Sequence, residues 1–177
     1  MREAESSVAA RANPAPAFRV SNATLARYLA VSLAVIVADQ LTKAVVQNLL
    51  GSGGDITVTP FFSIVLAYNT GAAFSFLATA AGWQRWLFAG IAAVAAVVIV
   101  WLLRRGGSRM FSLALALILG GALGNLYDRL TLGKVVDFLL FHYEQWAYPA
   151  FNVADSAITI GAALLIIDSF RTKHAHA

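Results

Sequence analysis

Residues 86–127 read WLFAGIAAVAAVVIVWLLRRGGSRMFSLALALILGGALGNLY. Two runs of eighteen residues without a charge, Trp86–Leu103 and Met110–Tyr127, flank the short basic stretch 104–109. A hydrocarbon core about 30 Å thick is crossed by roughly 20 apolar residues in a helix. The pair therefore reads as a transmembrane hairpin. Two further apolar stretches carry acids near one end. Arg27–Leu50 holds Asp39 and Lys43, and Phe151–Phe170 holds Asp155 and Asp168. Four spans are expected, at about 26–47, 84–103, 110–128 and 153–170.

The rest of the chain agrees with this class. Of 177 residues, 59% are hydrophobic and 12% charged, against about 25% charged in soluble domains. So few charges cannot cover a soluble core, and so apolar a chain is not disordered. Cys is absent, which removes disulfides, thiolate metal sites and cysteine nucleophiles. Nine of the thirteen basic residues fall on one side of a four-span arrangement: Arg2, Arg11, Arg19, Arg27, Arg104, Arg105, Arg109, Arg171 and Lys173. Cytoplasmic loops carry such an excess, so both termini are expected to be cytoplasmic. The same excess explains a pI of 9.8 without a nucleic-acid partner. Residues 1–24, rich in Ala, Ser and Pro, read as a flexible cytoplasmic tail. Residues 25–170 read as one membrane domain, and 171–177 as a second cytoplasmic tail. A cleaved signal peptide with Tyr28–Ala38 as its apolar region is the competing reading of the N-terminus. Removing that span would break the charge parity.

Two outward segments are too long for tight turns. In 48–83, Ile56, Val58, Phe62, Ile64 and Leu66 recur at period two and read as short strands. Such a sheet could lie on the lipid surface or hold an extended peptide by strand addition. Segment 129–152 carries Phe141, Tyr143, Trp146, Tyr148 and Phe151, a set typical of the membrane–water interface. The fold class is thus an all-α membrane protein of four helices. A small periplasmic β-sheet and a periplasmic loop or short helix at the membrane surface complete it.

Ionisable groups at bilayer depth are costly, by the lower estimates about 2.5–3.5 kcal/mol each, so they mark pairing or function. Ser112, Ala116, Gly120, Gly124 and Asp128 recur every four residues and form one stripe along span three. Small residues there admit a close neighbour, and the stripe delivers Asp128 outward. Asn125 and Arg129 are one turn apart and face one another. Asp39 and Lys43 have the spacing and order of a helical ion pair. Asp155, in the first turn of span four, suits a helix N-terminus. Asp137, between Val136 and Phe138, has no such explanation and needs a partner. Asn69-Thr70-Gly71 signals a turn, or an amide aimed at a peptide backbone.

Two carboxylates close together and poorly solvated share one proton. One can then activate water while the other polarises a carbonyl, without a cofactor. Alternatives are weaker. Ser63, Ser75 or Ser156 with Lys134 lacks a supporting spacing, and His142 lacks an obvious serine partner. A divalent cation on Asp128, Asp137 and Asp155 has few acids to hold it. A proton- or ion-conducting subunit would relay through Asp39, Asp137 and Asp155, but these acids all map to the outward end.

The set Asp39-Gln40-x-x-Lys43, Asn69-Thr70-Gly71-Ala72-Ala73-Phe74, Gly120-Gly121-Ala122-x-Gly124-Asn125-x-x-Asp128-Arg129, Val135-Val136-Asp137-Phe138 and Phe151-Asn152-x-Ala154-Asp155 resembles the lipoprotein signal peptidase (signal peptidase II) family. The resemblance runs from about Val37 to Gly161. It implies a bacterial inner-membrane aspartic endopeptidase with its active site at the periplasmic face. Such an enzyme cleaves diacylglyceryl-modified prolipoproteins just before the lipidated Cys. By the resemblance Asp137 and Asp155 are catalytic. Asn69, Gly71, Asn125, Asp128, Arg129, Asn152, Asp39 and Lys43 bind substrate or support the site. It implies no metal or other cofactor. The expected partners are prolipoproteins, membrane lipids and globomycin-type inhibitors, and a monomer is expected.

Overall fold

Each expected span is one helix in the computed structural model, which describes residues 20–71 and 82–174. The helices are α1 (Asn22–Leu50), α2 (Trp83–Arg105), α3 (Arg109–Thr131) and α4 (Val153–His174). All four are long and apolar enough to cross a membrane. Their ends lie within four residues of the expected ones. Helix α1 starts early because Ser21 caps it, its Oγ accepting from the Thr24 N–H at 3.1 Å. The Val20 N–H also reaches the Arg104 carbonyl at 3.1 Å. Residues 20–24, read from sequence as tail, are thus tied to the α2–α3 turn. Expectations that fall on residues 1–19, on Ala72, Ala73, Phe74 and Ser75, and on 175–177 lie outside the described residues.

The bundle is apolar on its outside. Leu33, Val94 and Val97 are 60%, 65% and 72% exposed, which suits lipid and not water. Helix α3 is the buried one, and its glycines explain how its neighbours come so close. A Cβ on Gly120 would meet the Ser32 carbonyl of α1 at 2.7 Å. One on Gly121 would collide with the Ala154 carbonyl of α4. Adjacent positions on one helix thus seat two different partners, as small residues do in membranes. On α1 the buried residues Ser32, Asp39, Lys43, Val46 and Leu50 are spaced seven, four, three and four apart. That seam meets α3 and then, beyond Lys43, the sheet.

The sheet has four antiparallel strands in the order β1 (Ile56–Thr59), β2 (Phe62–Asn69), β3 (Val135–Tyr143) and β4 (Trp146–Ala147). It draws on both outward segments, so 129–152 contributes a long central strand as well as interfacial aromatics. Register places Ala67 opposite Asp137 and Asn69 opposite Val135, past a bulge between Ile64 and Ala67. Bulges re-aim side chains near functional sites. The sheet is seated on the bundle by Phe138, which packs with Val46 and Leu50 of α1 and with Val153 of α4.

Candidate active site

Lys43 anchors the outward end of the bundle. Its ammonium lies 2.7 Å from Asp39 and 2.8 Å from Asp128. It donates to the Asn125 Oδ1 at 3.1 Å. An ammonium has three donors, so Lys43 is fully used. It is 2% exposed, with Asp39 at 0% and Asp128 at 1%. The two acids accept from more of the fold. Gln40 Nε2 donates to Asp128 at 2.8 Å, and the Val136 N–H does so at 3.1 Å. The Ala154 N–H donates to Asp39 at 2.9 Å. This cage ties α1, α3, β3 and α4 together. Asp128 therefore pairs with Lys43 on another helix and not with its neighbour Arg129.

Two asparagines carry the network from the cage to the remaining acids. Asn125 accepts from Lys43 and donates its amide to the Asp155 Oδ1 at 2.7 Å. Asn152 caps α4 reciprocally with Asp155. Its Oδ1 accepts from the Asp155 N–H at 2.9 Å, and its own N–H donates to the Asp155 Oδ2 at 3.2 Å. This is the capping-box logic with Asp in the acidic position. The amide of the same Asn152 donates to the Asp137 Oδ1 at 2.7 Å. One residue thus holds both Asp137 and Asp155. Asp155 does cap its helix, as the sequence allows, but the cap is shared with the second acid.

Asp137 is 2% exposed on β3, and Asn69 hydrogen-bonds its carboxyl from the paired strand. Asn69 Oδ1 also accepts from the Gly71 N–H at 2.8 Å, and Gly71 turns the chain with φ +90°. The turn reading of Asn69 holds, and its side chain is also engaged with the Asp137 carboxyl. Burial, and next the negative charge of Asp155, push the Asp137 carboxyl up to about 6. The bonds from Asn69 and Asn152 and the charge of Lys43 oppose this. Arg129 donates to the Asn125 main-chain carbonyl at 3.2 Å, so the expected facing of the two is to backbone. Its guanidinium sits 5.4 Å from the Phe88 ring centre, within electrostatic reach of Asp155, Asp137 and Asp128.

Each of the two acids borders its own cavity. One of about 260 Å³ is lined by Ala67, Asn69, Asp137, Pro149 and Ala150 among others. The other, about 340 Å³, is lined by Tyr148, Phe151, Asp155, Ser156, Thr159 and Ile160. The segment 148–151 gives its outer residues, Tyr148 and Phe151, to the second and its inner residues, Pro149 and Ala150, to the first.

Sequence reasoning did not single out Gln40 as a site residue, although it sits inside a quoted motif. Its only signal was adjacency to Asp39. The backbone donors Val136 and Ala154 leave no mark in a sequence. His142 does have a serine partner: Ser63 Oγ lies 2.9 Å from its Nε2. That contact crosses β2 and β3 five residues along the strand from Asp137, about 17 Å away at 3.4 Å per residue.

Asp137 has a consequence for stability. Its folded value of about 6 exceeds an ordinary carboxyl near 3.9. Between these values the folded protein binds a proton that the unfolded chain does not, so this group's contribution falls as pH rises. Acidification from pH 7 to 5 is expected to raise the melting temperature of the wild type relative to Asp137→Asn. Parallel shifts in the two proteins would refute it.

The family description "Signal peptidase (SPase) II" matches residues 31–171. The chain is 58% identical over 158 residues to the lipoprotein signal peptidase of Paraburkholderia phytofirmans, covering 89% of this chain and 92% of the relative. It is 57% identical over 152 residues to that of Burkholderia mallei, covering 85% and 92%. Among solved structures it resembles a bacterial membrane enzyme determined by the in meso method at 2.3 Å. The TM-score is 0.72 at 29% identity, over 84% of this chain and 90% of the other. A second such structure, at 1.9 Å, gives 0.70 and 30% over 81% and 92%.

Proposed function

This chain belongs to the signal peptidase II family, and we propose that Asp137 and Asp155 are the pair through which it cleaves prolipoproteins. It is an aspartic peptidase that removes signal peptides, held in the membrane by four helices. The single observation that carries the assignment is Asn152, whose amide and main-chain N–H each hold one of the two carboxyls.

The ionised member of the pair takes a proton from water, and the water oxygen adds to the carbonyl carbon preceding the lipidated Cys. The protonated member donates to the carbonyl oxygen. When the tetrahedral adduct collapses, the C–N bond breaks and the Cys amine leaves with a proton from the pair. A proton shared by two close carboxyls supplies both roles. Arg129, with its planar fork of donors, orients the substrate carbonyl. Lys43, Asp39 and Asp128 fix the helices that present the asparagines. Asn69 and Gly71 shape the strand side of the site.

The protein is placed in the inner membrane of a bacterium, with 25–170 as its membrane domain. Residues 1–24 and 171–177 face the cytoplasm and the carboxyl pair faces the periplasm. The exposed arginines 104, 105 and 109 at the opposite end from Asp137 support this orientation. Globomycin-type peptides would compete with substrate, and lipids surround the bundle of a monomer. Reporter fusions after residues 50 and 145 are expected to read periplasmic, and a cytoplasmic signal from either would overturn the orientation. Purified protein in detergent is expected to convert a diacylglyceryl-modified prolipoprotein to a faster-running product on a gel. No conversion by folded protein would remove the functional reading.

A further inference from the structure

We propose that Phe88 of α2 is a positioning residue for the cleavage, its ring holding the Arg129 guanidinium at the angle from which that group meets the substrate carbonyl. This rests on the functional reading above, which gives Arg129 that carbonyl. Every other residue given a role in the site lies outside α2. Phe88 itself stands in a charge-free apolar run and carries no mark of function there.

The ring is fixed from two sides. Arg85, one turn earlier on α2, donates from Nη2 to the Leu130 carbonyl at 2.7 Å. Residues three apart share a helix face, so the face that meets the end of α3 through Arg85 also presents Phe88 to it. On the strand side, the ring edge fills the place of the side chain that Gly71 lacks. A Cβ on Gly71 would lie 2.7 Å from the Phe88 Cδ2. That glycine is itself tied down, its N–H donating to the Asn69 Oδ1 at 2.8 Å. The half-buried ring is thus wedged between the α3 terminus and the turn after β2.

Arg129 lies over this ring, its central guanidinium carbon 5.4 Å from the centroid. Cation–π attraction acts within about 6 Å. The choice of an aromatic partner has a chemical reason. The Asn125 carbonyl takes one guanidinium N–H at 3.2 Å. A carboxylate in the place of Phe88 would take two more and cancel the charge. A ring face attracts the cation and leaves the fork of N–H groups for a carbonyl oxygen. Arginine is among the most rotamer-rich side chains, so a fixed surface under it raises the share of time in which the fork is aimed.

The test replaces Phe88 with 4-fluoro- and with 3,4-difluorophenylalanine, which drain the negative face of the ring and barely change its shape. A ring flip puts the second fluorine on the side away from Gly71. On a diacylglyceryl-modified prolipoprotein, kcat is expected to fall about threefold and then about tenfold, with KM within about twofold of wild type. The melting temperature should not change. Phe88→Leu, without a ring, should lose at least as much kcat. An aromatic that only fills space predicts otherwise, because fluorine does not weaken apolar packing. Wild-type kcat in the fluorinated proteins would overturn the inference, as would losses of kcat matched by losses of folded protein. Cleavage by wild type keeps the functional reading intact whichever way the variants behave. A folded wild type that cleaves nothing removes both.

Discussion

Asp137→Asn and Asp155→Asn are each expected to abolish cleavage while leaving a folded protein that still binds a lipidated substrate. Asn keeps the size and most hydrogen bonding of Asp but cannot ionise. General acid–base catalysis contributes roughly 10²–10⁴ in rate, and loss of the activated water adds to it. An Asn side chain at 137 keeps one oxygen that can accept from the Asn152 amide. At position 137 the change also removes a charge that burial disfavours, so Asp137→Asn should melt at or above the wild-type temperature at pH 7. Melting and cleavage measured on the same samples decide the matter. A well-folded Asp137→Asn protein that still cleaves would end the two-carboxylate mechanism. Variants that lose stability and activity in proportion would make both acids structural.

The second large effect is expected at Lys43. Replacing it with Met leaves Asp39 and Asp128 buried without their cation. Breaking a buried ion pair by removing one partner costs about 3–5 kcal/mol. For a chain of this length that corresponds to a melting temperature lower by about 10 °C or more. Activity should fall with it, because the same ammonium holds Asn125, which holds Asp155. A triple variant with Asp39→Asn and Asp128→Asn added should recover much of the lost melting temperature, since neutral replacement of a whole buried ion cluster is often tolerated. It should recover little activity, as Asn125 has lost its donor. A Lys43→Met protein as stable as wild type would show that the cage is hydrated and not sealed.

The spans were legible because lipid imposes a simple code. Charge-free runs and a basic turn between them locate the helices. The Asp39–Lys43 pair was legible because helical spacing alone brings the two together. The partner of Asp128 was not. Nothing in its own helix marks the partner, because helix geometry sends Asp128 and its neighbour Arg129 in different directions. Lys43 reaches Asp128 from 85 positions away. Strand β3 was also hidden. Val135–Tyr143 is apolar on both faces near its start, because Val135, Val136 and Phe138 are all buried. The alternation that betrays a half-buried strand is therefore missing there. The motifs named candidate residues, but only the fold shows that Asn152 joins Asp137 and Asp155.

The pairing of β2 with β3 has a consequence for how the protein is made. Asn69 and Val135 meet, yet the whole α2–α3 hairpin is synthesised between them. The outer sheet can close only after that hairpin has been threaded into the bilayer and its far end returned to the same side. Asn152 and Asp155 arrive later still, with the last helix. Until α4 is inserted, Asp137 lacks the Asn152 amide and its companion charge. On the proposed assignment, a nascent chain in the translocon lacks its catalytic pair until the last helix is in place.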